Sequence, residues 1–305
     1  MQNTERTMAI AVDLGGTTTR VRLVQTAPKQ DVPPRILGGA TFDTEQSYAA
    51  QMARLSAVVA ELLDADPCSE GAMTGIGVSL GGRIAEDGRS VSVAPNLRDY
   101  ERRPFVADLS ARCGGLPVRL AHDAVCGLLA ERLVGALHGS SRCAYLTLST
   151  GTGCAIHLES PAAGGAGVTL SIELGHQLLD HNTRVCLCGQ VGCLETYTGG
   201  RQLALRYGQP IETLDDASSS EMWREFAEKL SGGLVNLAHL TRVERVAIGG
   251  AIALNHPSLL ESLRAAVAER LRNARLELVP TALGESAPLI GAALLLTTPE
   301  GELLH

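Results

Sequence analysis

The sequence predicts a duplicated α/β protein whose two lobes face a cleft. Two observations predict it. Short apolar runs alternate along the chain with longer segments whose apolar residues recur at helical spacing. Each half also opens in the same way, as strand, Gly/Thr turn and strand, in "AVDLGGTTTRVRLV" and again in "LTLSTGTGCAIHL". The length of 305 residues and a hydrophobic content of 45% suffice for two moderate cores, and the break falls near residue 121. With aromatics at 3%, those cores must be built from Leu, Val, Ala and Ile.

The elements follow in order. "MAIAVDL" reads as a strand, "GGTTTR" as a turn and "VRLVQ" as the returning strand of a hairpin. "EQSYAAQMARLSAVVAELLDA" carries helical periodicity, and "TGIGVSLGG" is a buried strand running into a glycine turn. "PFVADLSARCG" is a helix stopped by Gly114, "LPVRLAHD" a strand with Asp123 just past its end, and "AVCGLLAERLVGAL" a helix. "RCAYLTLST", "GTG" and "CAIHLES" restart the pattern. "ERVAIGG" is a late strand, "SLLESLRAAVAERLRNA" a helix and "APLIGAALLLTT" an apolar final helix. The polar stretch "GQPIETLDDASSSEMW" reads as a surface connection.

A net charge of −7 excludes a general nucleic-acid binder, which needs a basic face. No signal peptide opens the sequence and no apolar run reaches membrane-spanning length, so the expectation is a cytoplasmic protein without a membrane partner. Thiols stay reduced there. Cys68, Cys113, Cys126, Cys143 and Cys154 are scattered in apolar contexts and read as buried small hydrophobes.

The Gly/Thr turns point to an anion. Gly leaves backbone N–H groups open to close approach by phosphate oxygens, and Thr adds hydroxyl donors. Asp13 ends an apolar strand, where an unpaired carboxylate is costly; a magnesium ion would explain it. Ordinary hairpin turns are the alternative, weakened by the occurrence of two at corresponding places. No P-loop occurs, and the Rossmann fingerprint is absent from the first strand–turn. A third Gly-Gly turn, in "VAIGGAIA", would suit a flat base such as adenine or be a plain strand-to-helix turn.

Cys186, Cys188 and Cys193 stand as C-x-C-x4-C, with His176 upstream. One imidazole and three thiolates suit a structural, closed tetrahedral zinc, and a reducing compartment favours metal over a disulfide. Glu173 and Glu195 flank this loop and would be held beside it as acceptors for polyol hydroxyls.

Together, "DLGGT" (13–17), "APNL" (94–97), "HDA" (122–124), "STGTG" (149–153), "ELGH" (173–176), "CLCGQVGCLE" (186–195) and "AIGGAI" (247–252) resemble the repressor/ORF/kinase (ROK) family of bacterial sugar kinases. The resemblance covers nearly the whole chain. It implies an actin-like ATPase (ribonuclease H-like) fold with a smaller lobe of 1–121 joined by the C-terminal helix 287–305, and a larger lobe of 122–286. It implies ATP and sugar in the cleft, a homodimer through the larger lobe, and phosphorylation of a sugar hydroxyl, usually the one on C6.

Carried over residue by residue, Asp123 is the general base. Asn96, Glu173, His176 and Glu195 hold sugar hydroxyls, and Gly81 and Gly82 lie along the sugar. Asp13, Gly15, Gly16, Thr17, Gly151, Thr152 and Gly153 cradle ATP-magnesium, while Gly249 and Gly250 border the adenosine. His176 serves zinc and sugar with one ring nitrogen each.

Two departures stand out. His122 replaces the Asn that the family usually has before the catalytic Asp, and "SLGG" stands where a Gly-x-Pro-Gly turn is usual. Imidazole differs from the amide in size and in donor pattern. The expected substrate is therefore a hexose or analogue: glucose, an amino sugar such as kanosamine or N-acetylmannosamine, or a C7-cyclitol. A charge on His122 near neutrality would also disturb Asp123. Family repressors carry an additional N-terminal helix-turn-helix domain, for which a "DLGG" at residue 13 leaves no room, so the expectation is the kinase branch. The alternatives are a non-catalytic sugar-sensing regulator of the same fold and, more remotely, an actin-like ATPase module.

Overall fold

The computed structural model describes residues 6–26, 32–65, 71–159, 167–211 and 220–304. The chain divides into two compact units, Met1–Val134 with Ser286–His305, and Gly135–Glu285. The division falls at Val134 rather than near residue 121, because the helix that begins at Asp123 packs within the first unit.

In the first stretch the elements are β1 (Thr7–Leu14), β2 (Thr18–Thr26), β3 (Arg35–Asp43), α1 (Tyr48–Ala65), β4 (Ala72–Leu80), β5 (Arg83–Ile84), β6 (Val91–Val93), α2 (Phe105–Arg112), β7 (Val118–His122) and α3 (Asp123–Val134). Then come β8 (Arg142–Leu148), β9 (Thr152–Glu159), β10 (Gly167–Ile172), α4 (Glu195–Thr198), α5 (Gly200–Tyr207), α6 (Ser220–Thr241), β11 (Arg245–Gly249), α7 (Ala251–Asn255), α8 (Ser258–Arg270) and β12 (Glu277–Pro280). The helix α9 (Ala287–Leu295) returns to the first unit.

The duplication is visible in the sheets. The first runs β3-β2-β1-β4-β7, antiparallel from β3 to β1 and parallel from β1 to β7. In the second, the order β10-β9-β8-β11-β12 repeats the same senses. Strand β1 is central and carries a near-continuous buried run, as a strand covered on both faces must.

Helix α1 buries Tyr48, Gln51, Met52, Leu55 and Val59, one face at helical spacing. The first core joins it to Ile10, Val12, Ile76, Val78, Leu80, Tyr100 and Phe105. The second gathers Leu146, Leu148, Trp223, Phe226, Leu230 and Leu234 under β8 and β11. Aromatics are few but central: Tyr100, Tyr145, Phe105 and Phe226 are among the largest fully buried side chains.

Two elements differ from the expected reading. Strand β3 is an edge strand interrupted by Gly38 and Gly39, with a register shift opposite Leu23 and Val24, which masks its periodicity. The polar stretch from Gly208 runs through 212–219, outside the described residues, into α6, where Met222 and Trp223 are buried. Of the scattered cysteines, Cys126, Cys143 and Cys154 are buried, Cys113 is only half-buried, and Cys68 lies outside the described residues. No helix among the described residues is long and apolar enough to cross a membrane.

Helix α9 packs backbone to backbone. A Cβ on Gly291 would sit 1.8 Å from the Cys126 carbonyl oxygen of α3, and one on Gly77 of β4 would sit 1.7 Å from the Ala292 carbonyl oxygen. Arg119 closes the far end of α9 by donating to the Leu295 and Thr298 carbonyls. Gly291→Ala is therefore expected to destabilise the protein by about 1–3 kcal/mol, since the obstacle is backbone and cannot swing away. Gly232→Ala, in α6 with nothing within 4 Å of the added carbon, should stabilise by about 0.4–1 kcal/mol. Thermal and urea denaturation of both variants against the parent measure the opposite signs.

Candidate functional site

In the first unit the parallel strands β1, β4 and β7 end side by side, and the loops that leave them carry the chemistry. The turn after β1 is short: β2 already begins at Thr18, and the Gly15 N–H donates to the Thr18 carbonyl at 3.0 Å. A buried relay holds this turn. Gln51 Nε2 donates to Thr19 Oγ1 at 3.0 Å, Thr19 Oγ1 lies 2.8 Å from Thr44 Oγ1, and Thr44 Oγ1 donates to the Gly15 carbonyl at 2.8 Å. Asn96 packs onto the same turn, its Cβ 3.0 Å from where a Gly16 Cβ would be.

Asp13 is not the unpartnered carboxylate expected at its strand end. Arg20 faces it across the hairpin and Ser79 faces it on β4. Arg20 donates to Oδ2 through Nη2 at 2.6 Å and Nε at 3.1 Å, and Ser79 Oγ donates to Oδ1 at 3.0 Å. Burial pushes the Asp13 carboxyl up; Arg20 and Ser79 oppose that, and the charge of Asp123 adds to it. The need for a magnesium ion to explain a buried Asp13 therefore falls away. Cys126 lies beneath, its thiol pushed well up by burial and by the charges of Asp13 and Asp123.

Asp123 is the first residue of α3, directly after β7, and its side chain is 31% exposed. Its Oδ1 accepts the Ala124 N–H at 2.6 Å and lies 3.0 Å from His122 Nδ1. A carboxylate is favoured at a helix N-terminus. The other oxygen, Oδ2, faces Gly81, where even an added Cβ would stay 3.6 Å away. Asp13, Gly81 and Asp123 thus share one end of the sheet, with Gly82 following Gly81.

The second unit repeats the plan. The turn of residues 149–153 follows β8, and Gly249 ends β11, its parallel neighbour, with Gly250 just after it. At Gly250, φ is +87° and a Cβ would lie 2.3 Å from the Leu148 carbonyl oxygen, so only glycine fits against the end of β8. The paired turns 81–82 and 249–250 occupy equivalent places in the two sheets, and both follow an apolar strand end, in "VSLGG" and "VAIGG".

His176, Cys186, Cys188 and Cys193 converge, with one ligand atom from each lying within 4.8 Å of the others. His176 Nδ1 is 3.8 Å from Cys186 Sγ, and Cys188 Sγ is 3.8 Å from Cys193 Sγ. Burial pushes the Cys186 and Cys193 thiols up, so a cation that takes them as thiolates must displace protons. One nitrogen and three sulfurs fit a tetrahedral zinc. Gln190 donates to Cys193 Sγ at 3.1 Å and Gln202 to Cys186 Sγ at 3.3 Å, supporting groups that the spacing of the thiols does not reveal. The other ring nitrogen, Nε2 of His176, points toward Glu173, 3.8 Å away. Glu195 Oε2 accepts the Thr152 N–H at 2.8 Å.

The ROK family model matches residues 9–298. The chain is 28% identical over 244 residues to the xylose repressor of Bacillus subtilis (strain 168), covering 74% of this chain and 61% of that protein. It thus spans less than two thirds of the length of the repressors it matches. It is 28% identical to the glucokinase of Thermotoga maritima over 93% of this chain and 95% of that protein. To the kanosamine kinase of Amycolatopsis mediterranei it is 26% identical, over 94% and 95%. Among solved structures, the ROK family glucokinase from Streptomyces griseus in complex with glucose and AMPPNP superposes with a TM-score of 0.73, at 24% identity, over 94% of this chain and 98% of that one. The fold is that of the actin-like ATPases, and the chain belongs to the ROK family.

Proposed function

We propose that the protein is an ATP-dependent kinase that phosphorylates a hydroxyl of a hexose or hexose analogue, with Asp123 as general base. The observation that carries this reading is the Asp123 carboxylate. Its Oδ1 is fixed by the Ala124 N–H while Oδ2 stands beside a glycine, partly exposed, at the end of a parallel strand. A positioned base of this kind orients a hydroxyl and accepts its proton as the new O–P bond forms and ADP leaves. A protein that only sensed sugar would not need it. The full-length match to glucokinase and kanosamine kinase supports the same reading.

Asn96, His122, Asp123, Gly81, Gly82, Glu173, His176 and Glu195 are the groups assigned to the sugar. The turns at Asp13, Gly15–Thr17, Gly151–Gly153 and Gly249–Gly250 are assigned to the nucleotide. Magnesium would screen the phosphate charge. Both oxygens of Asp13 already accept side-chain hydrogen bonds, Oδ2 two from Arg20 and Oδ1 one from Ser79, so a magnesium ion there would share the carboxylate with them, directly at Oδ1 or through water. Zinc on His176, Cys186, Cys188 and Cys193 would pin the loop that carries Glu195. A homodimer belongs to the same proposal.

His122 bears on which sugar is taken. Its Nδ1 stands 3.0 Å from Asp123 and 3.1 Å from the Ala124 N–H, so the ring is turned back onto the base. An imidazole so held cannot present the two-donor amide edge of an Asn, which supports a sugar altered on that side, an amino sugar or a cyclitol. The second reading, a sugar-responsive regulator without turnover, is favoured by the similarity to the xylose repressors.

ADP release measured with ATP and glucose, kanosamine, N-acetylmannosamine and a C7-cyclitol separates these readings. Turnover with one of them supports the kinase; tight sugar binding with no turnover anywhere supports the regulator. Asp123→Asn is expected to lower kcat by about 10²–10⁴-fold while calorimetry still detects sugar binding. Metal analysis is expected to find one zinc per chain, lost in Cys186→Ser and Cys193→Ser together with part of the thermal stability.

A further inference from the structure

A short segment behind the thiol cluster is clamped onto the Gly/Thr turn of the second unit. Cys193 is followed at once by α4, and residues 195–201 make four hydrogen bonds to residues 149–152. Glu195 Oε2 accepts the Thr152 N–H at 2.8 Å, and the Thr152 and Thr198 hydroxyls meet at 2.8 Å. The Gly200 N–H donates to the Ser149 carbonyl at 2.8 Å and the Arg201 N–H to the Thr150 carbonyl at 3.0 Å. The fit around the carboxylate is close. Oε2 lies 2.9 Å from where a Gly151 Cβ would be and 3.3 Å from a Gly175 Cβ, so a larger residue at 151 would have to push the carboxylate aside, and one at 175 would also meet the Thr152 carbonyl oxygen at 2.7 Å. The other oxygen, Oε1, makes no hydrogen bond among the described residues.

We infer that Glu195 is a positioning residue for the turn of residues 149–153: its Oε2 fixes the Thr152 backbone while Oε1 stays available, so that the group assigned to the sugar also sets the geometry of the turn assigned to the nucleotide. This rests on the kinase reading for the identity of the two ligands, and on the contacts alone for the clamp. Thr152 N–H to carboxylate is a charge-assisted bond, stronger than the neutral bonds beside it. A sugar hydroxyl donating to Oε1 would hold the same side chain in the rotamer that Oε2 requires. The cost of ordering the turn is then met once for both ligands, which is positive coupling between them.

The arrangement also gives the metal cluster a second consequence. The thiols fix the start of α4, and Asn182 ties the Cys193 carbonyl to Thr196 Oγ1 through Nδ2 at 3.0 and 3.1 Å. Disturbing that loop should be felt at Thr152 and not only at the sugar.

The test compares Glu195→Ala and Glu195→Gln in the full, zinc-loaded chain. In Gln the side-chain carbonyl can still accept from Thr152, while the amide turns the sugar-facing acceptor into a donor. Site-resolved hydrogen exchange is expected to show the Thr152 amide protected in the parent and in Glu195→Gln, and exchanging at least tenfold faster in Glu195→Ala. Calorimetry with AMPPNP in the absence of sugar is expected to show Kd raised about tenfold in Glu195→Ala, equal to about 1.4 kcal/mol, and within about twofold of the parent in Glu195→Gln. Added sugar should tighten AMPPNP in the parent and not in Glu195→Ala. Equal Thr152 protection in all three proteins overturns the proposal, whatever the nucleotide result. A parent that binds no AMPPNP overturns the kinase reading, and the exchange comparison then decides the clamp by itself.

Discussion

Parallel pairing of the middle strands is the constraint on which the rest depends. When β1, β4 and β7 run in one direction, their carboxyl ends fall along one edge, and every loop leaving them is delivered to the same place. Asp13, Gly81 and Asp123 are far apart in sequence and are brought to one end of the sheet for this reason. The same order in the second sheet brings residues 149–153 beside Gly249 and Gly250. Edge strands and outer helices then serve to bury that arrangement. Helix α9 lies backbone against backbone on β4 and α3 and so holds that sheet in place.

Charge at that edge is handled by register. A carboxylate near the end of a central strand is costly unless something opposes it. The hairpin supplies Arg20 because the turn is short enough to bring position 20 opposite position 13, and β4 supplies Ser79 by the same geometry. Asp123 is treated differently. It leans on the helix N-terminus and remains partly exposed, with one oxygen in use and one presented. Two carboxylates at one end of the sheet therefore have unlike surroundings: Asp13 is bonded by side chains at both oxygens, Asp123 by a backbone N–H at Oδ1, with Oδ2 toward Gly81.

The fold was legible where periodicity was strong. The β1–β2 hairpin, α1, β4 and the strand that ends before Asp123 all follow from alternation and helical spacing, and the repeated opening motif announced the duplication. Strand β3 was hidden because two glycines interrupt an edge strand, and α6 because a polar run precedes its buried Trp223. The gathering of His176 with three thiols was legible from ligand chemistry and spacing. What spacing could not show was pairing across strands and between distant turns. Arg20 opposite Asp13 follows only once the hairpin register is known, and Glu195 on Thr152 joins positions 43 apart through a close approach of backbone and side chain.

His122 shows how a single departure acts through geometry. A side chain at this position sits one residue before the carboxylate, on the last residue of β7, opposite Leu80. Its Nδ1 lies near both Asp123 Oδ1 and the Ala124 N–H, but it cannot serve both in one protonation state. With a proton on Nδ1 the ring donates to the carboxylate; without one it accepts the amide. In the first state Oδ1 accepts from both the Ala124 N–H and the ring, while Oδ2 stays toward Gly81. In the second the Ala124 N–H is shared between Oδ1 and the ring. An Asn in the same place has no such pair of states. The histidine thus reaches either the neighbouring carboxylate or the amide that the carboxylate holds, on the side of Asp123 away from Gly81.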